Sequence, residues 1–152
     1  MRGSRRLVLD TNVVLDCFGF ADPDSRGIVA QLESATALLV ANGALREELV
    51  RVLAYPALPF DEALRREVLR RYDHLARPVE QPRPGVALPR CRDPDDQKFL
   101  EAARDGHADF LITKDKALLE LARGAAAAGF AIVTPAQYAG RDPPRTAQPP
   151  AP

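Results

Sequence analysis

The sequence predicts an α/β fold in three layers, with a central parallel sheet of four to five strands between two layers of helices. Two observations carry this. Short apolar runs at Leu7-Val8-Leu9, residues 36–40, 110–113 and 128–133 read as strands buried on both faces. Between them lie amphipathic stretches with apolar residues at helical spacing, and this alternation builds parallel βαβ units. A chain of 152 residues, 46% hydrophobic and 28% charged, is one domain with enough apolar surface for a core.

The first strand ends abruptly in Asp10-Thr11-Asn12, followed by Val13, Val14 and Leu15 and a looser Gly/Asp/Pro segment over residues 19–24. Ser25 can cap a helix to about Ser34, with Ile28, Val29 and Leu32 on its apolar side. After the strand at 36–40, Asn42 caps a helix with the stripe Leu45, Leu49, Val52 and Leu53, which Pro56 and Pro59 end. Asp61 caps the next helix, with Leu64, Val68, Tyr72 and Leu75 on one face and Arg65, Arg66, Arg70 and Arg71 largely on the others. A Pro-rich connector over 77–90 has room for one short strand. Asp93-Pro94-Asp95-Asp96 then opens a helix, with Asp93 as cap and Pro94 at the first helical position, and Gly106 closes it. The strand at 110–113, a helix over 115–123 and the strand at 128–133 complete a domain of residues 5–139. Residues 140–152 form a Pro-rich tail without apolar period and read as disordered.

Composition excludes several functions. With 21 Lys+Arg against 21 Asp+Glu, the neutral chain is no strongly basic module held to nucleic acid by bulk attraction, although a local phosphate site remains open. Cys17 and Cys91 form no disulfide framework, and no Cys/His set has zinc spacing. No apolar run approaches the ~20 residues that span a bilayer, so the expectation is a cytoplasmic protein without a membrane partner.

Carboxylates fall at the places where α/β sheets bind ligands, the carboxyl ends of the strands. Asp10 closes the first strand, Asp115 follows the strand at 110–113, and Asp96 lies in the first turn after the connector. On the helix after Asn42, Glu48 lies roughly 85° from the apolar stripe and Glu47 roughly 175° from it, so Glu48 flanks the core while Glu47 faces water. Each acid has a plainer use: Asp115 as a helix cap, Asp96 as a first-turn acid, Asp10 in a turn, Glu48 half-exposed. Converging together, they would raise one another's pKa values and hold a cation. An all-oxygen donor set suits Mg²⁺ or Mn²⁺ rather than zinc, and such ions serve phosphate chemistry. His74 and His107 near helix ends, and the two cysteines, show no activating partners. Tyr55, Tyr72 and Tyr138 form no stacking stripe.

These residues resemble a known family. Leu7-Val8-Leu9-Asp10-Thr11-Asn12, Glu47-Glu48-Leu49-Val50-Arg51-Val52-Leu53, Asp93-Pro94-Asp95-Asp96-Gln97-Lys98-Phe99-Leu100 and Phe110-Leu111-Ile112-Thr113-Lys114-Asp115 are similar, in order and spacing, to the four motifs of the PIN domain. The likeness covers about residues 5–138 and is nearest to the VapC-like toxins of bacterial toxin–antitoxin pairs. The resemblance implies a five-stranded parallel sheet, frequent homodimers, an antitoxin protein partner, and Mg²⁺- or Mn²⁺-dependent cleavage of RNA to 5′-phosphate and 3′-hydroxyl ends. It maps metal binding and catalysis onto Asp10, Glu48, Asp96 and Asp115. Asn12 and Thr113 would stand beside them as polar supports, with Asp93 as an outer acid or merely a helix cap. The arginine-rich stretch of 56–89 is where specificity for substrate or partner is expected. The competing readings are a non-catalytic partner-binding module on the same fold, and a PIN nuclease acting in RNA processing or on DNA. An Asp-nucleophile phosphatase is disfavoured, because Asn12 stands where its second acid belongs.

Overall fold

Five short strands pair side by side in a computed structural model that describes residues 3–141. They are β1 (Arg5–Leu9), β2 (Ala37–Ala41), β3 (Ala76–Pro78), β4 (Phe110–Ile112) and β5 (Ala131–Val133), in the spatial order β3-β2-β1-β4-β5, and every pair is parallel. The tail predicted at 140–152 lies outside the described residues from 142 onward.

Alternation along the strands divides the core in two. Leu7 and Leu9 of β1, Leu39 of β2, Ile112 of β4 and Val133 of β5 face one side, while Val8, Val40, Leu111 and Ile132 face the other. The first side is covered by α1 (Thr11–Leu15), α2 (Arg26–Glu33), α3 (Gly43–Leu53), α4 (Glu62–Leu75) and α8 (Pro135–Ala139), through Val13, Ile28, Leu49, Val68 and Tyr138. The second is covered by α5 (Gln97–Asp105), α6 (Lys116–Leu119) and α7 (Ala122–Ala127), through Phe99, Leu118 and Ala125. The expected three-layer α/β/α architecture is thus present, with five strands. No helix among the described residues is long and apolar enough to cross a membrane.

Caps operate largely where the sequence places them. Asn42 accepts from the Leu45 amide at 3.0 Å, Asp61 from the Leu64 amide at 2.8 Å, and Asp93 from the Asp95 amide at 3.0 Å. Gly106, at the end of α5, packs against β2 so closely that a Cβ there would lie 2.3 Å from Val40 Cγ1.

Four local expectations need correction. The segment expected to be loose over 19–24 is mostly wound into turns of helix. α1 runs directly into a π-helical turn, Asp16–Phe20, which buries Cys17 and Phe18, and a 3₁₀ turn follows at Pro23–Ser25. Ser25 makes no cap bond; Asp22 accepts from the Asp24 amide and caps the turn leading into α2. The helix expected over 115–123 is broken into α6 and α7, and the last strand is shorter than 128–133, with Gly129 in a turn at φ +100°. A final helix, α8, follows the last expected strand, and Thr134 and Gln137 form a capping box at its start.

The Pro-rich connector contributes β3 at its very start, and its remainder is strapped to α5. The Arg83 amide donates to Asp105 at 2.8 Å, and Arg104 donates to the Val86 carbonyl at 3.1 Å. Gln97 accepts from the Cys91 amide at 2.8 Å and donates to the Pro89 carbonyl at 3.1 Å. Both bonds of Gln97 fix the chain immediately before the turn that carries Asp96. Substituting Gly106 by Ala should destabilise the fold by about 1–3 kcal/mol through overpacking against Val40, measured by urea unfolding. A variant as stable as the parent would show that α5 can move away from β2 at no cost.

Candidate functional site

The order β3-β2-β1-β4-β5 makes the connections diverge on either side of the β1/β4 pair, and a crevice opens there beyond the carboxyl ends of the strands. Asp10 follows β1, and Thr113 and Asp115 follow β4, so both ends deliver polar side chains to one place. The cleft has a volume of about 380 Å³ and is lined by Asp10, Thr11, Asn12, Glu48, Val52, Asp96, Lys114 and Asp115. All four predicted acids therefore meet in it.

Each acid arrives by its own route. Asp10 occupies the cap position of α1, yet its carboxylate makes no cap bond; it is 7% exposed and accepts from the Thr113 hydroxyl at 2.6 Å. Thr113 is fully buried, and its hydroxyl oxygen also accepts from the Asp115 amide at 3.0 Å, which ties the two strand ends together. Asp115 does cap α6, accepting from the Ala117 amide at 3.0 Å, but it also hydrogen-bonds to Asp96. Glu48 accepts from the Thr11 hydroxyl at 2.7 Å and forms an ion pair with Lys98. Glu47 is exposed, as its helical angle requires. Asn12 is exposed on the cleft wall, whereas Asp93 caps its helix turn and does not line the cleft.

Burial, with like charges at close range adding to it, sets the electrostatics. Burial raises the Asp10 pKa, the Thr113 hydrogen bond opposes this, and the Asp115 and Glu48 carboxylates add to the rise. Asp96 is pushed up to about 7, first by burial, then by its hydrogen bond to Asp115 and by the Asp115, Asp10 and Asp93 charges. Asp96 thus keeps its proton close to neutrality. Cys17 and Cys91 are buried free thiols raised by burial, Cys17 to about 12, so neither offers a thiolate.

Three residues that the sequence reading did not single out, Asp16, Lys114 and Lys98, belong to the site. Asp16 is buried in the π-helical turn and pairs with Lys114 at 2.5 Å. Its signal in the sequence is a lone acid inside the apolar run 13–18. Lys98 flanks the buried stripe of α5 just as Glu48 flanks that of α3, and the same edge argument applies to both.

The PIN domain family profile matches residues 6–117, which takes in the cleft acids Asp10, Glu48, Asp96 and Asp115. The chain belongs to the PIN domain family. PIN domains are generally nucleases, hydrolases of phosphodiester bonds, and the cleft lies where an α/β sheet places a ligand. No curated protein matches this PIN domain.

The donor set suits a hard divalent cation, being all oxygen, with several carboxylates and no His or Cys. Among the described residues, no three such side chains already converge as a finished cage; Asp96 and Asp115 hold each other, and Glu48 turns to Thr11 and Lys98. Among the same residues, Asp10, Asp96 and Asp115 form no ion pair with a Lys, Arg or His; Lys114 and Arg92 act on Asp10 and Asp115 only from a greater distance.

A carboxyl group with a higher pKa in the folded chain than in the unfolded chain binds more protons when folded, and its ionisation opposes folding. With a chelator present, the contribution of Asp96 to stability should therefore fall as the pH rises from 3.8 toward about 7 and level off above it. Thermal melts of Asp96→Asn against the parent should show the variant gaining relative stability as the pH rises through this window. Parallel curves would mean that Asp96 carries no such strain.

Proposed function

We propose that this PIN domain is a Mg²⁺- or Mn²⁺-dependent endoribonuclease, the VapC-like toxin of a toxin–antitoxin pair. The observation that carries the reading is the meeting of Asp10, Asp96 and Asp115 at the β1/β4 crevice, none of them in an ion pair among the described residues. Asp10, Asp96 and Asp115 would hold the ion, and Glu48 completes the set of catalytic acids. The ion, when bound, supplies Lewis acidity and positive charge at the scissile phosphate.

The chain's own groups do the rest. Thr113 holds the Asp10 carboxylate in place at the cleft. Glu48, fixed by Thr11, retains lone pairs on both oxygens and can orient a water molecule and accept its proton. Attack of that water in line with the leaving 3′ oxygen forms the new P–O bond and breaks the old one; the departing oxygen takes a proton from solvent, which leaves 5′-phosphate and 3′-hydroxyl ends. Asn12, exposed on the cleft wall, can donate to the RNA backbone.

The antitoxin would bind at the groove between α3 and α4, about 570 Å³, lined by Val50, Leu53, Phe60, Arg66 and Leu69. Exposed Val50 and Tyr55 extend its apolar character. The neighbouring arginines contribute less than their number suggests. Arg65 donates to the carbonyls of Leu53, Tyr55, Leu58 and Phe60, Arg70 pairs with Glu67, and Arg71 pairs with Glu33. A cytoplasmic homodimer completes the reading.

RNA cleavage should require Mg²⁺ or Mn²⁺, stop in EDTA, and fall by more than ~100-fold in Asp10→Asn, as expected on loss of a direct metal ligand. Undiminished cleavage by that variant, or indifference to chelation, would remove the metal-dependent reading.

A further inference from the structure

Of the four acids expected to hold the ion, Glu48 alone has a cation of its own among the described residues. Lys98 reaches it from the first turn of α5, two residues beyond Asp96, and pairs with Oε1. The Thr11 hydroxyl donates to Oε2 at 2.7 Å from α1. Both oxygens of Glu48 are thus engaged from two different elements. The side chains of Lys98 and Glu48 are only 19% and 18% exposed, so solvent and salt screen the pair weakly.

We propose that Lys98 is a positioning residue that withholds Glu48 from the metal ion, so that Asp10, Asp96 and Asp115 bind the ion alone. This rests on the metal-dependent reading above and refines it. Recruiting Glu48 as a ligand would break a largely shielded ion pair and leave the Lys98 ammonium unpaired beside a divalent cation. Removing one partner from such a pair is strongly unfavourable. The three aspartates face no such penalty, since among the described residues none of them has an ion-pair partner to lose. The turn that delivers Asp96 to the ion therefore also delivers the cation that keeps Glu48 separate. Glu48 remains a carboxylate for the attacking water.

A double-mutant cycle read by calorimetric titration with Mn²⁺ tests this in the full chain. In the parent background, Glu48→Gln should change Mn²⁺ affinity by less than about threefold, while Asp96→Asn weakens it by ~10-fold or more. RNA cleavage by Glu48→Gln should be lost even at saturating Mn²⁺. In the Lys98→Met background, Glu48 is free to join the ion, and Glu48→Gln should then cost ~10-fold or more in affinity. Lys98→Arg should restore the parent pattern. If Glu48→Gln weakens binding as much as Asp96→Asn in the parent, or costs the same in both backgrounds, Lys98 does not partition the acids and the proposal is wrong. Failure of the parent itself to bind Mn²⁺ is a different result, which overturns the metal-dependent reading as well. Should Lys98→Met fail to fold by circular dichroism, the comparison of Glu48→Gln with Asp96→Asn decides alone.

Discussion

The hydrogen bond from Thr113 to Asp10 joins the ends of the two central strands, and the geometry of the site depends on it. β1 and β4 are neighbours because the chain winds outward from β1 in both directions. Their carboxyl ends therefore open into a crevice, as sheets of this kind do where the strand order reverses. Thr113 turns this topological opening into a defined site, because one buried hydroxyl orients Asp10 and receives the Asp115 amide. Asp10 occupies a helix-cap position without using its side chain as a cap, which frees the carboxylate for the cleft.

The second constraint is charge. Zero net charge over the chain conceals a local excess of acid, relieved differently at different residues. Lys98 neutralises Glu48 and Lys114 neutralises Asp16, whereas Asp10, Asp96 and Asp115 form no ion pair among the described residues, and burial beside other carboxylates raises the pKa values of Asp10 and Asp96. The arginines of α4, which suggest an RNA- or partner-binding face in the sequence, are largely consumed by neighbouring carboxylates and backbone carbonyls. Attraction for nucleic acid is consequently not a property of this surface at large.

Much of this is legible in the sequence, for physical reasons. Strands buried on both faces show as continuous apolar runs, and caps such as Asn42 and Asp61 are local chemistry. The edge position of Glu48 follows from helical angle alone. The π-helical turn at Asp16–Phe20 is not legible, because burial against the sheet overrides the weak helix preference of Val13 and Val14 and the presence of Gly19. Nor are the Lys98–Glu48 and Lys114–Asp16 pairs, since each joins elements distant in the chain and periodicity within one element carries no information about its partner. Asp93 illustrates a mixed case: it has the plainer use as a helix cap, and its charge also reaches Asp96.

The most direct test of the central claim is a crystal structure of the protein soaked in Mn²⁺, with the ion located by its anomalous scattering. The expected result is a Mn²⁺ ion at the β1/β4 crevice touching Asp10, Asp96 and Asp115, with Glu48 still paired to Lys98. An ion bound elsewhere, or anomalous signal absent from the crevice at saturating Mn²⁺, would contradict it.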